Sequence, residues 1–505
     1  GSYYSPSVVV ESLLDTALEP VLDEAMAATD PEAALLALTI CDPACGTGRF
    51  LVAASHRVAQ RLVRVREQRG ASPKEVAGAY REVVLRCVYG VDLHPWTVEL
   101  CRVALWLEVS EPGWSPSTLG RHVRCGNGLL GATPALMAEG VPDRAFIRED
   151  GTSDEKATAL QVRRRNRAER RQASGPVPVG ADAADAWCAA FVWPMVPGTE
   201  EEVLTDAVWR AEALSPKQRE QVKALSQTHR FVHWHMAFPQ VFGGPSVATA
   251  QEGEPGWSGG FDVVLGNPPF VNAIEGAIGP ATRALSRYAH PLLSGTADLA
   301  FYFVSLALTI VRPGGRVGLV QPRAILNASS AQALRAARPR GLGPVAIAVP
   351  ERANLFPGAA VFVCLLTLGP GARCKVTRAD DFGHWVECAW VGANWWRWVV
   401  ELTTGRSLTR PEGWVPLSER FRVSASMTTG DAYAIKPWVR DGADEEGLKL
   451  VTTGLVEPGQ CMWGQWRCRY LKDDYQHPWV PLVVEGYPPA LRRRLERARR
   501  PKIIV

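Results

Sequence analysis

The sequence has no apolar run long enough to cross a lipid bilayer. Its longest run, LAFYFVSLALTIV at residues 299–311, is well short of the roughly 20 residues that a membrane helix needs. The opening GSYYSP also lacks the basic and then apolar segments of a secretory signal. There is no initiator methionine, and the closing KIIV is typical of an unfinished strand. We therefore expect a piece of a longer protein that works in the cytoplasm and away from membranes.

Metal-site spacing and a strong charge imbalance are also missing. The 11 cysteines are scattered, and although Cys41 and Cys45 share one loop, no second close pair accompanies them. The histidines do not have the spacing of metal ligands either, so we expect reduced thiols and no metal. The net charge is only +4, so any nucleic-acid binding must depend on local clusters of basic residues.

What the sequence does have is a regular alternation of short apolar runs and helical patterns. A chain of 505 residues is too long for one ordinary core, so two or more domains are expected. The alternation predicts an α/β domain with a doubly wound, mostly parallel, seven-stranded sheet that ends in a β-hairpin. Strands are predicted at residues 37–42, 86–92, 122–125, 261–266, 315–321, 344–349 and 359–368, and helices at 49–69, 95–109 and 297–311.

Two regions break this alternation. Residues 131–230 predict a helical insertion, and its arginine run at 163–171 is more typical of a solvated helix face than of a binding site. From about residue 371 tryptophans become dense and basic residues lie between them, which predicts a second, mixed α/β domain at 371–505 after a first domain at 1–370. The arginines at 491–500 fit either phosphate contacts or a solvated helix.

A glycine-containing loop, DPACGTGRF at residues 42–50, lies between the first predicted strand and its helix. Gly46 and Gly48 permit a tight turn and a close approach of the backbone to a ligand. Asp42 ends the first strand, where an acid suits a cationic or hydroxyl-bearing ligand better than a pyrophosphate. Asp92 ends the second strand, where a carboxylate either accepts the hydroxyls of a ribose or caps the following helix. Loops in this position bind nucleotide-like cofactors.

The motif GNPPF follows the fourth predicted strand. Neither Pro268 nor Pro269 has an N–H to donate, so the strand must end at Asn267. The two prolines stiffen the backbone there, and Phe270 adds an aromatic ring. A side-chain amide, a rigid carbonyl and a ring at one strand end indicate a binding or catalytic site, and a turn-forming amide before proline is the alternative.

Together these motifs resemble the amino-group DNA methyltransferases that use S-adenosylmethionine. The order is that of the gamma-type branch, with the cofactor loop first, the catalytic motif next and target recognition last. Three more segments resemble further motifs of that branch: YYSP, CGNGLLG (residues 125–131) and NLFPGAAV (residues 354–361). The large restriction–modification and phage-defence members of the branch are resembled by a fourth segment, HWHMAFPQVF (residues 233–242). The resemblance assigns cofactor contacts to Tyr4, Ser5, Asp42, Ala44, Gly46, Gly48, Asp92 and Asn127.

The resemblance implies methylation of the N6 amine of adenine in double-stranded DNA, with restriction or phage-defence subunits as partners. Asn267 and the carbonyl of Pro268 would accept the two N–H groups of the amine, which draws its lone pair out of conjugation. The base would be flipped out of the duplex and stack on Phe270. Phe356 is the candidate for the opposite face of the base, and ordinary core packing is its alternative.

Two other functions fit parts of the pattern. Protein-glutamine methyltransferases resemble this sequence through their NPPY motif and the same chemistry at an amide nitrogen, but the large Trp- and Arg-rich region argues against them. A DNA-recognition module that binds the cofactor without turnover is the third reading. The intact set from Asn267 to Phe270 argues against loss of catalysis.

Overall fold

A computed structural model describes most of the first four-fifths of the chain and shorter segments after it. The described residues are 5–109, 114–148, 151–172, 175–243, 254–270, 280–294, 297–350, 362–378, 382, 385–389, 394–404, 435–442, 447–451, 456–457, 460–461, 463–465, 467–470, 473–481, 492 and 495.

A nine-stranded sheet forms the centre of the first part of the chain. Its strands are β1 (Ile40–Asp42), β2 (Val88–Asp92), β3 (Val123–Cys125), β4 (Phe261–Gly266), β5 (Val311–Pro322), β6 (Gly343–Ala348), β7 (Val363–Gly369), β8 (Arg373–Thr377) and β9 (Val386–Ala389). They lie in the order β3-β2-β1-β4-β5-β7-β6-β8-β9. The five strands from β3 to β5 are parallel, whereas β7 runs antiparallel to both β5 and β6.

Helices connect the strands and cover the sheet. Their bounds are α1 (Ser7–Leu13), α2 (Glu19–Met26), α3 (Pro31–Ala37), α4 (Arg49–Gln68), α5 (Pro73–Ala77), α6 (Ala79–Arg86), α7 (Pro95–Val109), α8 (Pro134–Ala138), α9 (Ser153–Arg170), α10 (Ala181–Val192), α11 (Asp206–Arg210), α12 (Pro216–His229), α13 (Trp234–Ala237), α14 (Pro239–Phe242), α15 (Pro280–Ala289), α16 (Leu299–Ile310), α17 (Gln332–Ala336) and α18 (Trp395–Thr404). A π-helical turn, Leu14–Leu18, joins α1 to α2.

The sheet is buried on both faces, as expected for parallel strands. In β4, Val263 and Leu265 pack into one apolar cluster with the side chains of α1 and α4. Val264, between them, points to the opposite face and joins the cluster formed by α16. This alternation explains why β4 is apolar almost throughout, and why the long apolar run at residues 299–311 is a buried helix.

The predicted α/β fold class is confirmed, with two differences in extent. The sheet has nine strands where the sequence predicts seven, because β8 pairs in parallel with β6 and β9 pairs with β8. The predicted terminal hairpin does form, since β6 and β7 are antiparallel neighbours, but these two strands do not lie at the edge. The short strands β8 and β9 carry little apolar periodicity, so the sequence pattern did not indicate them.

Residues 131–230 are helical, as predicted, and they build a core of their own. Trp187 and Trp209 are buried in it, and their ring nitrogens donate to the carbonyl oxygens of Gly140 and Ala183 at 2.8 Å each. The first bond links α10 to the turn after α8, and the second links α11 to α10. The insertion is therefore an ordered layer of structure.

The arginine run of the insertion is engaged within the insertion itself. Arg165 donates to the carbonyl oxygens of Glu200 and Val203, at 2.6 Å each. Arg167 pairs with Asp143 at 2.7 Å. These partners argue against a binding site. Arg165 is only 19% exposed, however, so its side chain is not part of the solvated face that the sequence predicts.

The chain divides into two compact units, Gly1–Leu408 and Thr409–Val505. The first unit extends past the predicted boundary at residue 370 because β8 and β9 continue the same sheet. The second unit contains the short antiparallel strands β10 (Arg440–Asp441), β11 (Leu448–Lys449), β12 (Val456–Glu457), β13 (Gln460–Cys461), β14 (Cys468–Tyr470), β15 (Asp473–Tyr475) and β16 (Pro478–Val480). In the described ranges, none of the helices combines the length and apolarity that a membrane span requires.

Candidate functional site

The residues singled out in the sequence meet at the carboxyl ends of β1 and β4. These strands are parallel neighbours, with Cys41 opposite Val264. The strand order reverses between them, because the chain moves outward from β1 to β3 and then returns to the other side of β1 with β4. In open α/β sheets, such a reversal leaves a crevice beyond the strand ends, where ligands bind. Asp42 ends β1, and Asn267 follows the last residue of β4.

Asp42 is a buried carboxyl at the centre of this crevice. It is 2% exposed, and its Oδ1 accepts from the backbone N–H of Ala44 at 3.0 Å. Burial raises the pKa of Asp42 from 3.8 to about 8; the Ala44 N–H opposes this rise, and the nearby charge of Asp92 adds to it. The ligand-free protein therefore holds Asp42 largely protonated at neutral pH, and a cationic ligand would favour its ionised form.

Gly266 lets β4 approach this carboxyl closely. A Cβ atom added at Gly266 would lie 2.6 Å from Oδ1 of Asp42, which is too close for any other residue type without a shift of the strand. The glycine of GNPPF is therefore explained by contact between the two strand ends.

The glycine loop turns tightly above Asp42. Gly46 has a φ of +51°, and a Cβ added there would meet no atom within 4 Å, so this side of the loop faces open space. Gly48 has a φ of +89° and begins α4, and a Cβ there would lie 2.7 Å from Sγ of Cys101 in α7. One glycine thus leaves room for a ligand, and the other lets the loop pack onto α7.

Asp92 caps the following helix, which is one of the two roles that its sequence position suggested, and it also contacts the glycine loop. Its Oδ1 caps α7 by accepting from the backbone N–H of His94 at 2.9 Å and the hydroxyl of Thr97 at 2.5 Å. Its Oδ2 accepts from the backbone N–H of Gly46 at 3.0 Å. The helix cap therefore holds the carboxylate in contact with the glycine loop; whether it also accepts ribose hydroxyls stays a prediction.

Asn127 lies just beyond the end of β3, on the same edge of the sheet. Its Oδ1 accepts from the backbone N–H of Leu129 at 3.2 Å, and its own backbone N–H donates to the carbonyl oxygen of Arg230 at 2.7 Å. These bonds fix a turn with a half-buried side chain. Contact of Asn127 with a cofactor stays a prediction.

The GNPPF motif after β4 is in contact with a residue near the beginning of the chain. The side-chain Nδ2 of Asn267 donates to Oγ of Ser5 at 3.0 Å, and Ser5 is only 6% exposed. Pro268 is buried, whereas Asn267, Pro269 and Phe270 are half-buried. Phe270 packs against the apolar cluster that includes α1. The motif therefore has a rigid support on one side and access to solvent on the other.

Two predicted site residues lie outside the described residues: Tyr4, assigned to the cofactor, and Phe356, assigned to the target base. The others converge, since Ser5, Asp42, Asp92 and Asn267 all lie at the carboxyl edge of one sheet. Sequence reasoning missed the bond from Ser5 to Asn267 and the hydroxyl of Thr97 on Asp92. The second had a signal, because a threonine five residues after a strand-ending aspartate falls in the first turn of the helix.

The donor set fits S-adenosylmethionine better than a phosphate-bearing nucleotide. Two carboxylates, Asp42 and Asp92, border a loop whose open side is at Gly46. An ammonium group would stabilise the ionised form of Asp42, whereas a phosphate group would not, and Asp92 can accept from ribose hydroxyls. Among the described residues, no group of three His, Cys, Asp or Glu side chains is placed to hold a metal ion.

Comparison with protein families places this chain among restriction–modification proteins. The family model described as Eco57I restriction-modification methylase matches residues 86–342, just over half of the 505 residues. The chain belongs to the Eco57I restriction-modification methylase family. A second model, described as the DNA-methyltransferase domain of MmeI, matches residues 23–111, which include the glycine loop. The glycine loop thus lies in the match to the MmeI domain, and the GNPPF motif lies in the match to the Eco57I family.

The chain spans less than half the length of the relatives that it matches. A protein of Methanocaldococcus jannaschii, named as a type II restriction enzyme and methyltransferase, is 31% identical over 107 residues, which cover 19% of this chain and 9% of that protein. The solved structure of MmeI in complex with DNA is 14% identical, with a TM-score of 0.39, and the match covers 77% of this chain and 40% of MmeI. A nuclease-deletion mutant of LlaGI with a DNA substrate mimic is 10% identical, with a TM-score of 0.40, over 78% of this chain and 27% of that one.

Proposed function

We propose that this methylase transfers a methyl group from S-adenosylmethionine to the N6 amine of an adenine that is flipped out of double-stranded DNA. The activity would serve a restriction–modification or phage-defence system, with other subunits or domains of that system as partners. The family descriptions support a DNA methyltransferase. The cofactor and the base are our inference from the site.

The observation that carries the proposal is the position of Asn267. Its amide lies at the end of β4, next to the strand end that holds Asp42. The hydrogen bond to Ser5 uses the amide nitrogen, which leaves Oδ1 as the acceptor toward the crevice. A hydrogen-bond acceptor there, beside a loop suited to a cationic cofactor, is what methylation of an amine requires.

The residues of GNPPF hold the amine in a reactive geometry. The lone pair of an exocyclic amine is delocalised into the base, which makes the amine a poor nucleophile. Oδ1 of Asn267 and the carbonyl oxygen of Pro268 would each accept one N–H, which favours a tetrahedral nitrogen whose lone pair is no longer delocalised into the base. Pro268 is buried and Pro269 follows it, so the carbonyl is held before the substrate arrives. The bound cofactor would supply the activated methyl group.

The cofactor would be bordered by Asp42, Ala44, Gly46, Gly48, Asp92 and Asn127, with Tyr4 on the side of the chain's first residues. Ser5, which the resemblance also assigns to the cofactor, lies against the amide of Asn267. Phe270 would stack on one face of the flipped base, and Phe356 on the other. Residues 409–505 would supply target recognition, and residues 1–408 the methyltransferase domain with its insertion at 131–230.

Only part of the basic segment that is expected to contact DNA lies within the described residues of the second unit. Arg492 is exposed, and the remaining arginines of residues 493–500 lie outside the described residues. Lys449 lies over the ring of Trp463 at 4.5 Å, and the ring nitrogen of Trp463 donates to Pro478 at 2.7 Å. This tryptophan is therefore part of the packing of the unit, and the phosphate contacts are assigned to the arginines.

The decisive experiment measures methyl transfer from radiolabelled S-adenosylmethionine to DNA from a methylation-deficient host. Wild type and Asn267→Ala are compared, and the product is digested to nucleosides. We expect N6-methyladenine with the wild type and none with the variant. Calorimetric binding of S-adenosylmethionine to both proteins is the control, because a folded variant should keep its affinity for the cofactor.

The product distinguishes the alternatives. N4-methylcytosine would keep the chemistry but refute adenine as the target. Methylated glutamine in host protein, without methylated DNA, would support a protein methyltransferase. Cofactor binding with no transfer to either substrate would support a recognition module and refute the enzymatic proposal for this chain.

A further inference from the structure

Ser5 and Asn267 are 262 residues apart in the sequence, and their side chains form a partly buried hydrogen bond in the candidate site. Nδ2 of Asn267 donates to Oγ of Ser5 at 3.0 Å. The resemblance to known methyltransferases assigned Ser5 to the cofactor, whereas the structure brings its hydroxyl to the amide that would act on the substrate.

Ser5 is held firmly enough to serve as an anchor. It is 6% exposed and directly precedes Pro6, whose carbonyl oxygen accepts from the N–H groups of Val9 and Val10 at 3.1 and 3.2 Å. These bonds start α1. Val9 and Leu13 of that helix are 0% exposed and pack against the sheet. Because the helix is fixed in this way, Ser5 in front of it is held in place as well.

The helix lies unusually close to the strands beside the motif. A Cβ atom added at Gly318 in β5 would lie 2.8 Å from Cβ of Ala17, in the turn after α1, and 3.0 Å from Leu265 in β4. Such contacts leave no room for the first helical segment to slide over β4 and β5. The distance between Ser5 and Asn267 is therefore set by packing of the first helical segment on β5, and by its place in the same apolar cluster as Leu265 of β4, the strand that carries the motif.

The orientation of the amide decides which of its ends faces the crevice, and in the structure Nδ2 is the end that lies on Ser5. An asparagine side chain has a donor end and an acceptor end of nearly the same shape, and a half-turn exchanges them. If the NH₂ end faced a substrate amine, two donors would meet and no hydrogen bond would form. We propose that Ser5 is a positioning residue for Asn267: its hydroxyl holds Nδ2 and thereby directs Oδ1 toward the target amine. This role rests on the proposed function.

The test separates positioning from cofactor binding through the kinetic and binding constants of Ser5→Ala. We expect kcat to fall about tenfold, the equivalent of one lost hydrogen bond of about 1.4 kcal/mol. The KM for DNA and the calorimetric dissociation constant for S-adenosylmethionine should stay within about twofold, because the bond acts on the reacting amide alone.

Two further variants control the measurement. Ser5→Thr keeps a hydroxyl at the same position and should restore kcat to within about threefold of the wild type. Ser7→Ala makes the same chemical change two residues away, at an exposed position in α1, and should leave all three constants unchanged. If Ser5→Thr were as slow as Ser5→Ala, the hydroxyl would not be the cause.

A stability cycle tests the bond without any turnover. Ser5→Ala should lower the urea midpoint of the wild type but not that of Asn267→Ala, since the partner is already gone. Equal losses in both backgrounds would overturn the inference. So would an unchanged kcat, or a cofactor dissociation constant that rises about tenfold, which would assign Ser5 to the cofactor. Absence of methyl transfer in the wild type would instead refute the proposed function, and the cycle would still decide the contact.

Discussion

Replacing Asp42 with asparagine should stabilise the ligand-free methylase, and by more as the pH rises. The carboxyl is 2% exposed, and burial raises its pKa from 3.8 to about 8. Asparagine has nearly the same shape and keeps an oxygen to accept from the N–H of Ala44, but it has no proton to lose. The two side chains should therefore differ mainly in their response to pH.

The direction of this pH dependence follows from whether the folded or the unfolded state keeps the proton on Asp42. Between about pH 4 and pH 8 the folded protein keeps a proton on Asp42 that the unfolded chain has released. A raised pKa in the folded state favours folding at low pH, so this contribution is fully present below about pH 4 and is lost as the pH rises toward 8. Each pH unit removes about 1.4 kcal/mol, which amounts to about 4 kcal/mol at pH 7.

Urea unfolding of the cofactor-free protein at several pH values from 5 to about 9 measures this difference. The free-energy gap between Asp42→Asn and the wild type should widen up to about pH 8 and then stay constant. Asp154→Asn, at an exposed position in the first turn of α9, is the matched control and should show no such trend. Parallel pH profiles for Asp42→Asn and the wild type would refute the burial argument.

The same proton links the carboxyl to the proposed cofactor. Because a cationic ligand favours the ionised form, binding of S-adenosylmethionine to the wild type should release a proton, and its affinity should rise up to about tenfold per pH unit below about pH 8. Calorimetry in buffers with different ionisation enthalpies counts this proton. Asp42→Asn should bind the cofactor more weakly and release none.

Substitutions at three further positions test the loop and the motif. Gly48→Ala should destabilise the protein by about 1–3 kcal/mol in thermal unfolding, because φ is +89° and the new Cβ would lie 2.7 Å from Sγ of Cys101. Asp92→Asn offers one acceptor oxygen in place of two, so it should lose either the cap of α7 or the bond to Gly46, at about 1 kcal/mol in stability, and weaken cofactor binding in calorimetry. Phe270→Ala should raise the KM for DNA or lower kcat by the equivalent of about 1–3 kcal/mol, whereas Phe270→Trp should retain activity.

Elements at the centre of the fold could be predicted because their sequence signals are strong. Phe261–Gly266 and Pro95–Val109 have the bounds that the sequence predicts, since a dense apolar run and a proline at the first helical turn are strong signals. Strand β1 is three residues long, shorter than predicted, because α3 continues to Ala37 and leaves only Ile40–Asp42 for the sheet.

The sequence predicts which residues of the site lie near one another, but it does not predict the hydrogen bonds between them. Parallel strands bring their carboxyl ends to one edge, so Asp42, Asp92 and Asn267 were expected to lie together. Which oxygen accepts from which N–H depends on distances of less than one ångström. Nothing in the order of motifs indicated that Asp92 would hold the loop at Gly46 as well as cap α7.

Local pattern also carries no information on contacts between distant segments. Ser5 meets Asn267 because α1 packs over β5 at Gly318, and no periodicity within residues 5–18 indicates which strand the helix will cover. The same holds for β8 and β9, which join the sheet through their neighbours and not through a strong pattern of their own. The sequence therefore predicts the parts of this site better than the bonds between them.

The spacing between the two halves of the site follows from one contact. Gly266 has no side chain, and the space where its Cβ would lie is taken by Oδ1 of Asp42. Asp42 is fixed in turn by the N–H of Ala44, and Asn267 is the next residue after Gly266. The loop that suits a cofactor and the amide that suits an amine are thus separated by a single layer of atoms in contact. A site that must bring a methyl donor and an acceptor within reach of each other needs such a short, rigid connection, since small displacements of reacting groups cost large factors in rate.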